Sequence, residues 1–162
     1  MTELGNALEF DNIITDLNNL SLFDETAPES RVKSSIINVH NSMDAKINLI
    51  LVHYYFGNSK EKVNDFWINI LNTMIFSKKL DLLKKLIKVD NKIIKILENF
   101  NIIRNELAHY PHRLHKRKSD HLKYKNKHIF KGLEGLKSLT HDLKFVSSEL
   151  FNILEKRKGR LK

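Results

Sequence analysis

The sequence predicts an all-α protein, an antiparallel bundle of four to five helices. Three observations point there. Only 5 Gly and 2 Pro occur in 162 residues, too few for the turns of a sandwich or barrel. Apolar residues recur at three-to-four spacing along most of the chain, and no stretch keeps the two-residue alternation of a strand. A composition of 41% hydrophobic and 29% charged residues fits one folded domain with a real core.

The elements follow in order. Residues 7–20 are weakly amphipathic, with Phe10, Ile13, Ile14 and Leu17 on one face. Leu22 to Ser30, with Pro28, reads as a linker. A long helix from about Glu29 to Phe56 carries Val32, Ile36, Val39, Met43, Ile47, Ile50 and Tyr54 inward, and Gly57-Asn58-Ser59 ends it. A second spans about 60–76, with Val63, Phe66, Trp67, Ile70, Leu71 and Met74. A third holds Leu80, Leu83, Leu86 and Ile87. Asp90 caps a fourth, with Ile93, Ile94, Leu97, Phe100 and Leu107 inward. That helix should stop near His109, because Pro111 disfavours helical geometry at Tyr110. Residues 111–128 break the periodicity as a basic loop. A last helix covers about 128–157, with Ile129, Leu133, Leu136, Leu143, Val146, Leu150 and Leu154, before a basic tail at 158–162. The domain proper is thus residues 30–157, preceded by an arm at 1–29.

Charge is segregated along the chain. Residues 1–29 hold seven acids and no base, whereas residues 30–162 hold 28 basic against 12 acidic side chains, a net of +16. A basic body fits a polyanionic partner, nucleic acid above all, or a lysine-rich solubilising surface. The acidic arm either folds over the basic cleft and restrains it, or is a disordered or dimer-packing N-terminus. With no cysteine, neither a disulfide framework nor a thiolate metal site is available, and a reducing cytoplasm is the expected compartment. The first thirty residues lack the basic start and apolar run of a signal peptide. The apolar stretches are too short to span a bilayer, so no membrane role is expected.

Chemistry concentrates at Arg104-Asn105-Glu106-Leu107-Ala108-His109. An arginine offers phosphate a permanent planar fork of donors, and a histidine moves protons near neutral pH. RNA can be cleaved without metal, because its 2′-hydroxyl attacks the adjacent phosphate. The enzyme then accepts one proton, supplies another and stabilises the added charge, so no cofactor is required. His109 would transfer protons, Arg104 would stabilise phosphate, and Asn105 would orient the histidine or hold a ribose hydroxyl. Asn105 and His109, four apart, share a face. Arg104 and His109, five apart, diverge by about 140° around the axis. Either the long Arg side chain curls round, or a second helix supplies the missing group, as two copies related by dimer symmetry would. The competing arrangement pairs Arg104 with an acid, Glu106 or Asp44, and leaves His109 as a helix-end cap. Two further roles are open to Asp44: positioning the motif, or forming a buried hydrogen-bonded pair with His40 one turn away.

The Arg104-Asn105-x-x-x-His109 spacing resembles the Arg-x4–6-His signature of the HEPN superfamily. The string Ile103-Arg-Asn-Glu-Leu-Ala-His-Tyr-Pro111 is close to the wording of its members. Upstream, Phe76-Ser-Lys-Lys-Leu80-Asp-Leu-Leu83 is similar to the Phe-x-x-Lys-Ile-x-Leu-Leu segment of some stand-alone members. The resemblance covers roughly residues 30–155. It implies a helical domain that often dimerises. In active members Arg and His of both protomers form a metal-independent endoribonuclease site, common in toxins and antiviral defence. A toxin of this kind would have an antitoxin as protein partner. Other members are non-catalytic modules that bind RNA or a partner protein.

The basic loop supplies a second constellation. Arg113, Lys116, Arg117, Lys118, Lys123, Lys125 and Lys127 surround His112, His115, Tyr110 and Tyr124. Cations interleaved with rings suit single-stranded RNA, where charge follows the backbone and rings stack on bases; a solvated loop has the same composition. Zinc is a poor fit to His112, His115 and His121, which lack a cysteine partner and HExxH spacing.

Overall fold

The computed structural model describes residues 10–24, 26–57, 63–109 and 121–159, and among these the chain is mainly α-helical. Among the described residues six α-helices are present: α1 (Phe10–Ser21), α2 (Glu29–Phe56), α3 (Val63–Phe66), α4 (Phe76–Leu82), α5 (Asn91–His109) and α6 (Glu134–Gly159). π-helical turns extend α3 over Trp67–Leu71 and α4 over Leu83–Ile87. A two-stranded ribbon, β1 (Lys123–Tyr124) and β2 (Lys127–His128), precedes α6. No described helix is long and apolar enough to cross a membrane.

The long helix α2 is the axis of the core and packs against α1, α4, α5 and α6. Its stretch from Lys46 to Val52 is buried at every position, which is what a helix surrounded by others requires. The expected stripe from Val32 to Ile50 is buried, whereas Tyr54 is 37% exposed and lies outside the core. Gly57 ends α2 at φ 56°, its N–H donating to the carbonyl of His53. Leu17 and Leu20 of α1 belong to the same core, and Ser42 donates to Asp16. The part of the acidic arm that forms α1 therefore packs on α2 and α6.

The second expected helix stops five residues early, at Leu71 rather than 76. The Asn72 N–H reaches back to the carbonyl of Trp67, and the Thr73 hydroxyl donates to the carbonyls of Asn69 and Ile70. These local bonds satisfy the last turn, so the chain leaves the helix. Ile75 is extended, 64% exposed, and directly precedes α4. Ile70, expected inward, is 46% exposed; Leu71 takes the core position. Lys88, at φ 57°, closes the π turn after α4. Asp90 caps α5 as the sequence indicates, its carboxylate accepting from the Lys92 N–H at 2.7 Å.

The last helix begins at Glu134, not 128, because residues 122–129 form a hairpin. Lys123 pairs with His128 and Tyr124 with Lys127, and the Ile129 N–H donates to the Leu122 carbonyl. Both central turn residues, Lys125 and Asn126, have positive φ, the geometry of a tight two-residue hairpin turn. The hairpin lies against the start of α6, where a Cβ on Gly135 would meet the carbonyl oxygens of Lys127 and His128. A side chain there would force the two elements apart.

Candidate functional site

Arg104 and Asn105 lie near the C-terminal end of α5 and open into a cleft of 390 Å³. Helix α5 contributes Asn101, Arg104 and Asn105; α2 contributes His40, Asn41 and Asp44; the turn before α4 and α4 itself contribute Asn72, Met74, Ile75, Phe76, Ser77 and Lys79. The register of α5 explains its share. Ile103 and Leu107 anchor one face in the core, which turns Asn101, Arg104 and Asn105 toward the neighbouring helices.

Arg104 makes no ion pair among the described residues. Its Nη1 donates to Asn105 Oδ1 at 3.1 Å, and its buried Nε has no hydrogen-bond partner. Asn105 thus steadies the guanidinium while the remaining outer donors stay available. Neither expected acid engages Arg104. Asp44 is held by Lys79, whose Nζ donates to both carboxylate oxygens at 2.7 Å. Lys79 is 2% exposed, so a buried cation requires this partner, and the two charges cancel at the wall of the cleft. Among the described residues, Arg104 is the charged group lining the cleft that has no ion-pair partner.

His40 does not pair with Asp44 as the sequence indicated. Its Nε2 lies 3.1 Å from Asn101 Oδ1, and its ring packs between Phe76 and Phe100, with centroids at 4.4 and 5.5 Å. Burial lowers its pKa below the ordinary 6.5, the hydrogen bond to Asn101 opposes that, and the positive charge of Arg104 adds to the lowering. The balance favours the neutral imidazole, whose Nε2–H donates to the amide oxygen of Asn101.

The backbone of His109 is the last residue of α5; its side chain lies outside the described residues. It sits seven positions after Ile102, on the same helical stripe, and Ile102 is 55% exposed. Within the basic segment, Tyr110, His112, Arg113, His115, Lys116, Arg117 and Lys118 fall outside the described residues.

The described remainder of that segment corrects one expectation. Tyr124 is not a stacking platform for RNA. It is 3% exposed, and its hydroxyl donates to Asp142 Oδ2 at 2.6 Å. Lys125 reaches the same carboxylate oxygen at 2.6 Å, and Lys127 lies 3.6 Å from Glu134. Lys123 remains exposed. Burial raises the pKa of Asp142, but hydrogen bonds from Lys125 and Tyr124 outweigh it and hold the carboxyl below its usual range. Burial and the bond to Asp142 push the Tyr124 hydroxyl upward. This cluster fastens the hairpin to α6, and none of its described residues lines the Arg104 cleft.

Sequence reasoning missed Asn41, Asn72, Asn101 and Lys79 as lining residues. Asn101 had a signal, since it lies one turn before Asn105 on the same helix face. Lys79 had one in the Phe76-x-x-Lys79 string. Asn72 had none, because the turn that presents it read as helix. No protein-family model, curated protein or solved structure matches the chain.

Proposed function

We propose that this chain is a HEPN-like endoribonuclease that acts as a homodimer without metal. The observation that supports the reading is the state of Arg104. Its guanidinium faces an open cleft, is steadied by Asn105, and is engaged by no acid among the described residues. A structural arginine would have taken Asp44, which Lys79 occupies instead. In the proposed reaction the RNA 2′-hydroxyl attacks the adjacent phosphorus and expels the 5′-oxygen. Arg104 donates to the non-bridging phosphate oxygens, where charge accumulates. One His109 accepts the proton of the 2′-hydroxyl, and the His109 of the partner copy donates a proton to the leaving 5′-oxygen. The exposed Ile102 stripe, which is the surface offered to the second copy, ends at the His109 position, about 140° around α5 from Arg104. That divergence is why one protomer alone does not converge both groups on one phosphate.

The test is incubation with structured and unstructured RNAs in EDTA, using wild type, Arg104→Ala and His109→Ala. Wild type cleaves, and each substitution lowers the rate by about a hundredfold or more. Equal cleavage by all three proteins refutes the assignment. Binding without cleavage, lost in Arg104→Ala, assigns instead a non-catalytic RNA-binding module using the same face.

A further inference from the structure

We infer that the cleft beside Arg104 is a subsite for one unpaired ribonucleotide, with its phosphate on Arg104 and its base among the asparagine amides. The inference rests on the RNA half of the reading above and adds what is recognised beside the phosphate.

Charge selects the phosphate. Lys79 and Asp44 neutralise each other at 2.7 Å, so the cleft presents the single positive charge of Arg104, matched by one phosphodiester. The lining selects what is attached to it. A site for phosphate alone would gather cations or backbone N–H groups. Here Asn41, Asn72 and Asn101 supply neutral amides, each offering donors and an acceptor, as the polar edge of a base requires. The Asn101 oxygen is taken by His40, which fixes that amide, so what Asn101 has to offer a ligand is its NH₂. Ile75, 64% exposed, and Met74 form an apolar ledge in the same cleft for the face of a ring.

Size agrees with these contacts. The 390 Å³ cleft falls within the range of about 300–1,000 Å³ typical of small-ligand sites. Being concave, it admits a base only when that base is free of a duplex. The turn carrying Asn72 and the face of α5 carrying Arg104 thus form the two walls of one nucleotide pocket.

The experiment is an NMR titration of the full chain with the four ribonucleoside 3′-monophosphates, ribose 5-phosphate and inorganic phosphate. It follows the side-chain amides of Asn41, Asn72 and Asn101. At least one nucleotide shifts these amides and binds about tenfold more tightly than either baseless phosphate. Asn41→Ala/Asn72→Ala, a change at two exposed positions, removes that advantage but keeps phosphate binding. Equal affinity for nucleotide and phosphate, or no movement of the amides, overturns the subsite. RNA cleavage separates the two readings. If the double variant cuts the same positions at the same rate as wild type, the subsite is wrong and the nuclease reading stands. If nucleotides bind but no RNA is cut, the subsite stands and the nuclease reading falls.

Discussion

Lys79 and Asp44 form a pair whose two halves differ in burial, and that asymmetry makes a measurable prediction. Lys79 is 2% exposed and Asp44 29%, with Nζ bonded to both carboxylate oxygens at 2.7 Å. Asp44→Asn keeps the shape but removes the counter-charge that the buried ammonium has among the described residues. Removing one partner of a buried pair costs about 3–5 kcal/mol, and the solvent reaching Asp44 through the cleft sets the value near ~3 kcal/mol. Lys79→Met removes the buried charge and keeps most of the side-chain volume. The Asp44 carboxylate then turns to water in the cleft, and the loss is about 1 kcal/mol. On the Lys79→Met background, Asp44→Asn should cost under ~1 kcal/mol, because no buried charge remains to be stranded. Urea unfolding followed by circular dichroism measures all four proteins. With a slope of roughly 1–3 kcal/mol per molar, Asp44→Asn lowers the midpoint by about 1–3 M. If Lys79→Met destabilises as much as Asp44→Asn, or if the two losses add, the argument from burial is wrong.

Other outcomes follow from the same structure. Tyr124→Phe should cost about 1–3 kcal/mol in thermal unfolding, since Asp142 loses a buried donor, while leaving RNA affinity unchanged. The pKa of Asp142 is depressed, so its stabilisation is present above about pH 4 and lost as the pH falls through its folded value; the Tyr124→Phe deficit should shrink there. Gly135→Ala should destabilise by about 1–3 kcal/mol, because its methyl would press on the carbonyls of Lys127 and His128; an unchanged melting temperature would show that the hairpin yields freely. His40 has a folded pKa below 6.5, so the unfolded chain takes up its proton first and stability falls as the pH drops below about 6.5. A pH series of melting temperatures should show that fall in wild type and a smaller one in His40→Gln.

Legibility in the sequence tracked how local the physics was. The bounds of α2 were readable because its apolar period, Pro28 and Gly57 lie within the segment itself. The Asp90 cap and the burial of Ile93, Ile94, Leu97 and Phe100 were readable for the same reason. The end of the second helix was not, since Trp67, Ile70, Leu71 and Met74 continue a helical period while Thr73 and Asn72 redirect the backbone. The hairpin was hidden by its turn: Lys125-Asn126 adopts positive φ without the glycine that usually announces it. Tyr124 illustrates the cost. A ring among lysines looks free to stack until Asp142, eighteen residues away, accepts its hydroxyl.

The sequence by itself determined the all-α class, the segregation of charge, and the placing of Arg104, Asn105 and His109 on one helix end. Each depends on spacing or composition, which folding does not alter. Only the tertiary structure decided the partners. Asp44 went to Lys79 and His40 to Asn101, leaving Arg104 open to a cleft instead of closed in an ion pair. The reason is competition. Several polar groups on α2, α4 and α5 could pair in more than one way, and the buried ammonium of Lys79, which would lose most by remaining unpaired, takes the carboxylate.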